Sequence, residues 1–129
     1  MRTIYFALIL VASRLLAGAP VDTEITKLLV GSWDFRSVTP AVREGTLTFR
    51  ADGTFSSRGL FHVGPREFRI DAEGKWKVEH GVLVEKLTKC SDPTTIPIGQ
   101  LTRDTVLSIT KKEFRFKIEQ GEEHYYVRK

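Results

Sequence analysis

Hydrophobic and polar residues alternate along most of the chain after position 31, with the period of two that a half-buried β-strand shows. The segment Phe114-Arg115-Phe116-Lys117-Ile118-Glu119 is the clearest case, because aromatic and aliphatic residues take one face and charged residues the other. Each such strand has one face for a core and one for water, as an antiparallel sheet allows. The pattern predicts strands over 32–38, 45–50, 54–63, 67–70, 75–79, 82–87, 105–110, 114–119 and 122–128.

Tight turns separate these strands. The strongest is Asp52-Gly53, where the glycine supplies the positive φ that a hairpin needs, and Leu47 and Phe49 precede it on one face. Further turn signals are Gly64-Pro65, Glu73-Gly74, His80-Gly81 and Gln120-Gly121, and the one long connection covers 88–100. Short strands joined in this way indicate an all-β, up-and-down antiparallel meander of eight or nine strands. Because open edges invite aggregation, we expect the meander to close into a barrel.

One short helix is predicted before the first strand, over 22–30. Asp22 or Thr23 can cap its start and Gly31 can end it. Two turns of helix are not stable alone, so we expect the helix to pack on the barrel. Its apolar face comprises Ile25, Leu28 and Leu29.

Residues 1–19 have the features of an export signal: Arg2, an apolar run over 4–12, and Ala17-Gly18-Ala19 before the expected cleavage site. The interpretation that we favour is a cleaved signal peptide, a domain over 20–129, and a periplasmic or secreted protein. Two alternatives stay open, namely an uncleaved segment that contacts the membrane and an ordinary buried N-terminus. The run is short for a bilayer span, which takes about 20 apolar residues.

Composition and charge exclude some classes of function. Of the 129 residues, 41% are hydrophobic and 28% charged, the balance of one globular domain. The formal charge of +4 falls to +2 without Arg2 and Arg14, since 18 basic residues then face 16 acidic ones. The charges are interspersed, so no nucleic-acid partner is expected. Cys90 is the single cysteine, which rules out an internal disulfide.

The segment Gly31-Ser32-Trp33, after a short helix and at the start of a meander, resembles the lipocalin/calycin superfamily, and in particular the small lipocalin-like domains of exported bacterial proteins. The motif Gly-x-Trp recurs at Gly74-Lys75-Trp76. The resemblance covers about residues 23–128 and implies an eight- or nine-stranded barrel. It also implies that Trp33 packs across the closed floor, with Arg128 over its indole. Such a contact contributes about 0.5–2 kcal/mol.

The resemblance implies a non-catalytic protein that binds a small hydrophobic or amphipathic ligand. The wall of the pocket would come from the inward-facing set, although in a short chain the same side chains could instead fill the interior. The alternative function is an interaction or inhibitor module of the cell envelope, with segments 39–44, 61–67 and 88–100 contacting a protein partner. The predicted wall residues are Leu47, Phe49, Phe55, Trp76, Val78, Phe114, Phe116 and Tyr125.

Catalytic and metal motifs find little support. Glu85 and Asp92 could be posed as an acid and base, but there is no nucleophile elbow or glycine-rich phosphate loop. His62, His80 and His124 are too scattered for a metal motif, and His124 is predicted to face outward. We therefore expect no metal, no cofactor and no enzyme activity.

Overall fold

The structure, a computed structural model, describes residues 21–36, 42–94 and 96–129. Within these ranges one helix precedes eight antiparallel strands, each paired with the next along the chain, and β1 pairs with β8 to close the barrel. The predicted all-β, up-and-down meander and its closure into a barrel are thereby confirmed. The predicted signal peptide and residues 37–41 lie outside the described residues. The elements are α1 (Val21–Leu29), β1 (Gly31–Phe35), β2 (Val42–Phe49), β3 (Thr54–Val63), β4 (Arg66–Glu79), β5 (Val82–Cys90), β6 (Leu101–Ile109), β7 (Glu113–Lys117) and β8 (Glu123–Arg128).

The predicted turn at Glu73-Gly74 is wrong, because β4 runs through it as one strand and joins the segments predicted over 67–70 and 75–79. The pairing of β4 with β5 shifts register between these two residues. A Cβ on Gly74 would lie 2.1 Å from the carbonyl oxygen of Lys86 and 2.6 Å from the Phe55 ring. This glycine therefore permits a close approach of two strands at a bulge rather than a chain reversal.

Several strands are longer than predicted, so less of the chain forms loops. β6 begins at Leu101 rather than at 105, and β5 continues to Cys90. Of the segment 61–67, only Gly64 and Pro65 lie between strands. Segment 61–67 is thus mostly strand and residues 42–44 belong to β2, whereas in segment 88–100 only residues 88–90 are strand.

The closed end of the barrel holds the tightest packing. Trp33 and Phe114 meet edge to face, with ring centroids 4.7 Å apart, and both side chains are fully buried. The helix α1 covers this end with Ile25 and Leu29, as its apolar face predicts. The largest fully buried side chains are Trp33, Phe49, Phe114, Leu29 and Leu83.

Arg128 joins the helix, the floor and the last strand. Its guanidinium carbon lies 4.2 Å from the Trp33 ring centroid. Its two terminal nitrogens donate hydrogen bonds to the carbonyl oxygens of Leu28, at 2.5 Å, and Val30, at 3.0 Å. Its Nε donates to the carbonyl oxygen of Lys111 at 2.5 Å. Gly31 has a φ of +134°, and a Cβ there would lie 2.3 Å from the Arg128 guanidinium. The glycine in Gly-x-Trp is therefore needed for the arginine to reach the tryptophan.

The helix is tied to the barrel by Asp22. Its carboxylate accepts hydrogen bonds from the backbone N–H groups of His80 and Gly81, both at 2.7 Å. These groups form the turn between β4 and β5, so Asp22, which lies in the first turn of α1, anchors a hairpin. In the described part of the chain, no helix has the length and apolarity that crossing a bilayer requires.

Candidate functional site

A cavity of about 510 Å³ occupies the barrel interior toward the end opposite α1. Gln100 and Leu101, before and at the start of β6, and Gln120, in the β7–β8 turn, border its mouth, and all three are exposed. Below the mouth the wall is largely apolar. Its apolar members include Leu47, Phe55, Leu87, Ile96, Phe116 and Ile118. The side chains of this short barrel therefore do not fill its interior.

The predicted wall residues divide between the cavity and the closed end. Leu47, Phe55 and Phe116 line the cavity. Phe49 and Phe114 are 1% and 0% exposed and belong to the packing of the closed end. Trp76 lies in the core and Val78 packs against it, so neither lines the cavity. The Trp76 indole nitrogen donates a hydrogen bond to the carbonyl oxygen of Arg50.

Tyr125 is a wrong assignment, because it lies on the outer face of the barrel. The guanidinium of the exposed Arg115 stacks 4.1 Å from its ring, and its hydroxyl donates to the Glu113 carboxylate. The neighbours His124 and Tyr126 line the cavity instead, so the prediction that His124 faces outward is also wrong. All three residues of His124-Tyr125-Tyr126 are aromatic, so the sequence does not show which of them face inward. The pairing of β8 with β1 and β7 decides this.

Two carboxyl groups meet on the cavity wall. Glu85 on β5 and Asp104 on β6 lie on inward-facing positions, two rungs apart in the β5–β6 ladder. Burial raises the pKa of Glu85 to about 8, and the charge of Asp104 and a hydrogen bond with it add to the effect. Burial also raises the pKa of Asp104 to about 6, against the lowering effect of its hydrogen bond with Glu85. Near neutral pH the pair therefore shares one proton and holds one negative charge.

The ring of Tyr126 stacks on Phe114 at 4.9 Å between centroids and on Phe116 at 5.6 Å, which places its hydroxyl inside the cavity. Burial raises the pKa of this hydroxyl, and the charges of Glu85 and Asp104 raise it further. The acid pair and the phenol thus share one polar region of the lumen, whose wall also includes Ser57, Thr102 and His124.

A second depression, of about 590 Å³, lies on the outer face of β2, β3 and β4. Its wall includes Arg50, Arg58, Asp71 and Lys89, which are exposed, and Arg58 forms an ion pair with Asp71 at 2.8 Å. Exposed and internally paired charges are typical of a solvated surface. The lumen lies inside the barrel and combines apolar side chains with polar groups that converge on it, as ligand pockets do, and is the better candidate.

The other residues considered from the sequence lie apart from one another. His80 stands in the β4–β5 turn, and His62 lies on β3 opposite Glu67. The thiol of Cys90, at the end of β5, contacts the carbonyl oxygen of Asp92. Within the described ranges, no group of three or more histidine, cysteine, aspartate or glutamate side chains could hold a metal ion.

The partner of Glu85 is Asp104 and not Asp92, whose carboxylate accepts a hydrogen bond from Thr94 in the β5–β6 connection. One signal for the pair was present in the sequence, because Glu85 has the same parity as Leu83 and Leu87 and so falls on the apolar face. Asp104 was missed because the predicted strand began one residue after it. Pairing across two strands brings the two together.

The barrel is similar to a solved structure, a lipocalin-like protein from Bacteroides uniformis ATCC 8492. The match has a TM-score of 0.50 and 16% sequence identity, and it covers 79% of this chain and 98% of that one. This likeness supports the lipocalin-like fold and nothing finer. No protein-family model matches the chain. No curated protein matches it either.

Proposed function

We propose that this lipocalin-like chain is an exported protein that holds a small hydrophobic or amphipathic molecule in its lumen without altering it. The observation that supports this proposal is the cavity of about 510 Å³. It exceeds the lower bound of about 300 Å³ for small-molecule pockets. A filled barrel would have favoured the alternative role as an interaction module.

The division of the barrel into two ends supports the same function. The closed end is packed with aromatic rings and sealed by Arg128, while the opposite end is bordered by exposed residues, among them Gln100 and Gln120. A ligand can therefore bury an apolar body against Phe55 and Phe116 and enter from one side only. Burial of apolar area contributes about 25 cal/mol per Å², which makes this wall the main source of affinity.

The test uses N-phenyl-1-naphthylamine, a hydrophobic dye that fluoresces in apolar surroundings, and one pair of matched variants. Thr102 lines the cavity and Thr105 is exposed on the same strand. We expect saturable 1:1 binding to the unmodified protein, a loss of at least about tenfold in affinity for Thr102→Trp, and a change within about twofold for Thr105→Trp. The dye recovered after incubation should have an unchanged mass.

Absence of saturable binding, or equal weakening by both variants, would contradict the proposal and favour the interaction module. The export part has a separate test. N-terminal sequencing of the protein from culture fluid or periplasm should begin near Pro20 or Val21. An intact Met1 in the soluble fraction would overturn it.

A further inference from the structure

We infer that the lumen selects an organic cation, a primary or substituted amine with an apolar body, whose ammonium group binds against Glu85 and Asp104. This inference rests on the proposed function and names the class of its ligand. It follows from the charge of the lumen, from a phenol hydroxyl that lines the same cavity as the acid pair, and from the size of the cavity.

The acid pair lies inside a ligand-sized cavity. In the β5–β6 ladder Glu85 is opposite Thr102 and Asp104 is opposite Leu83, so the two carboxyl groups are diagonal neighbours on the inner face. Asp104 is only 7% exposed, and among the described residues it is the one polar or charged residue that is buried. Two carboxyl groups can hydrogen-bond directly only when one keeps its proton, so the pair holds a single negative charge in the absence of a cation.

No lysine or arginine compensates that charge from the described residues that line the cavity. The titratable groups that face the pair are Tyr126 and His124 from β8 and Glu119 from the β7–β8 connection, and the charge of Glu119 acts on Asp104. The flanking basic residues, Lys86 and Arg103, are exposed on the outer face. Buried carboxylates are normally paired with a cation, and here the protein supplies a cavity where that partner would stand.

The Tyr126 hydroxyl is the second observation. Its ring is held between aromatic neighbours, and burial and the two carboxyl groups disfavour its ionisation. Among the residues that the structure describes, none forms a hydrogen bond with this hydroxyl. The hydroxyl is accessible from the cavity, and an ammonium group carries several N–H donors for which the phenol oxygen can act as acceptor.

An organic cation fits the site better than a bare ion or a neutral molecule. Among the described residues, no third histidine, cysteine, aspartate or glutamate side chain joins the pair in a group that could hold a metal ion. A neutral alcohol or an apolar molecule would leave the negative charge of the pair unpaired. A long-chain carboxylate would bring a second negative charge to it. An amine compensates the charge with its head and buries its chain against the apolar wall.

The experiment compares three ligands of equal chain length that differ only in the head group: decylamine, 1-decanol and decanoate. Their affinities are measured at pH 7, below their micellar concentrations, by displacement of N-phenyl-1-naphthylamine. We expect decylamine to bind at least about tenfold more tightly than 1-decanol, and decanoate to bind most weakly.

The variants test whether the pair carries this preference. Glu85→Gln with Asp104→Asn keeps the shapes and removes the charge, and we expect it to bind the amine and the alcohol within about twofold of each other. Glu73→Gln is the matched control, because Glu73 is exposed on the outer face of β4. The displaced dye reports whether the double variant still has a folded lumen.

The pH dependence provides a readout that a structural role would not change. Between pH 5 and pH 7 the pair gains its negative charge while an alkylammonium stays charged, so the affinity for the amine should rise and that for 1-decanol should not. His124 lines the same cavity, so His124→Gln is examined alongside. It should keep the pH dependence that Glu85→Gln with Asp104→Asn abolishes.

Equal affinities for decylamine and 1-decanol, or an amine preference that survives loss of both carboxyl groups, would overturn the inference and leave the proposed function intact. Failure of the dye and of all three ligands to bind would instead remove the proposed function. A preference that depends on His124 alone would assign selectivity to that residue and reject the acid pair.

Discussion

The substitution Glu85→Gln should stabilise this protein in alkaline solution and have little effect in acid. Burial raises the pKa of Glu85 from its ordinary value of 4.5 to about 8 in the folded state. The folded protein therefore holds one more proton than the unfolded chain between these values. The associated stability is fully present below about pH 4.5 and is lost as the pH rises through 8.

The difference between 4.5 and about 8 corresponds to about 5 kcal/mol, at about 1.4 kcal/mol per pKa unit. Water that enters the open mouth of the cavity relieves part of this cost. We therefore expect Glu85→Gln to raise the free energy of unfolding by about 1–3 kcal/mol at pH 8.5 and to change it by less than about 0.5 kcal/mol at pH 5. The glutamine amide replaces the protonated carboxyl as a hydrogen-bond donor to Asp104, so the change isolates ionisation from packing.

The assay is urea unfolding followed by tryptophan fluorescence at both pH values, with Glu73→Gln as the exposed control on the neighbouring strand. The control should follow the unmodified protein at pH 5 and pH 8.5. The reasoning would be refuted if Glu85→Gln and the unmodified protein lost stability in parallel as the pH rises. That result would mean that Glu85 is hydrated in the folded state and that the lumen is not a low-dielectric site.

Two further predictions concern the closed end of the barrel. Trp33→Ala should lower the free energy of unfolding by about 3–5 kcal/mol because it empties the floor of the core; calorimetry or urea unfolding measures it, and a loss below about 1 kcal/mol would contradict the packing. Arg128→Lys keeps the charge but loses the fork that reaches three backbone carbonyl oxygens, and should cost about 1–3 kcal/mol. Arg115→Lys, which changes an exposed cation over Tyr125, should cost less than about 0.5 kcal/mol, and equal losses for the two arginine variants would refute the capping role of Arg128.

The alternation of residues was enough to predict the strands whose two faces differ in chemistry. The turn prediction at Gly74 was wrong. A glycine there allows a neighbouring strand to approach closely, and the sequence does not show which residues of another strand lie next to it. The alternation failed at Tyr125 and Tyr126, since two identical residues in succession do not reveal which one faces inward. Alternation defines a face only where neighbouring residues differ in polarity.

The chain by itself therefore predicted the meander and the short helix, because local periodicity and turn chemistry depend on neighbours in sequence. Closure was expected from the hazard of open strand edges, and the lipocalin-like fold from the resemblance that Gly31-Ser32-Trp33 carries. Only the tertiary structure decided that the interior is hollow, that Glu85 meets Asp104, and that Tyr126 completes their polar region. These features depend on the register between strands and on how far the barrel wall stands from its axis. A pKa shifts, and a ligand binds, because of neighbouring charges and burial. Those neighbours come from residues that are distant in sequence and that only the folded barrel brings together.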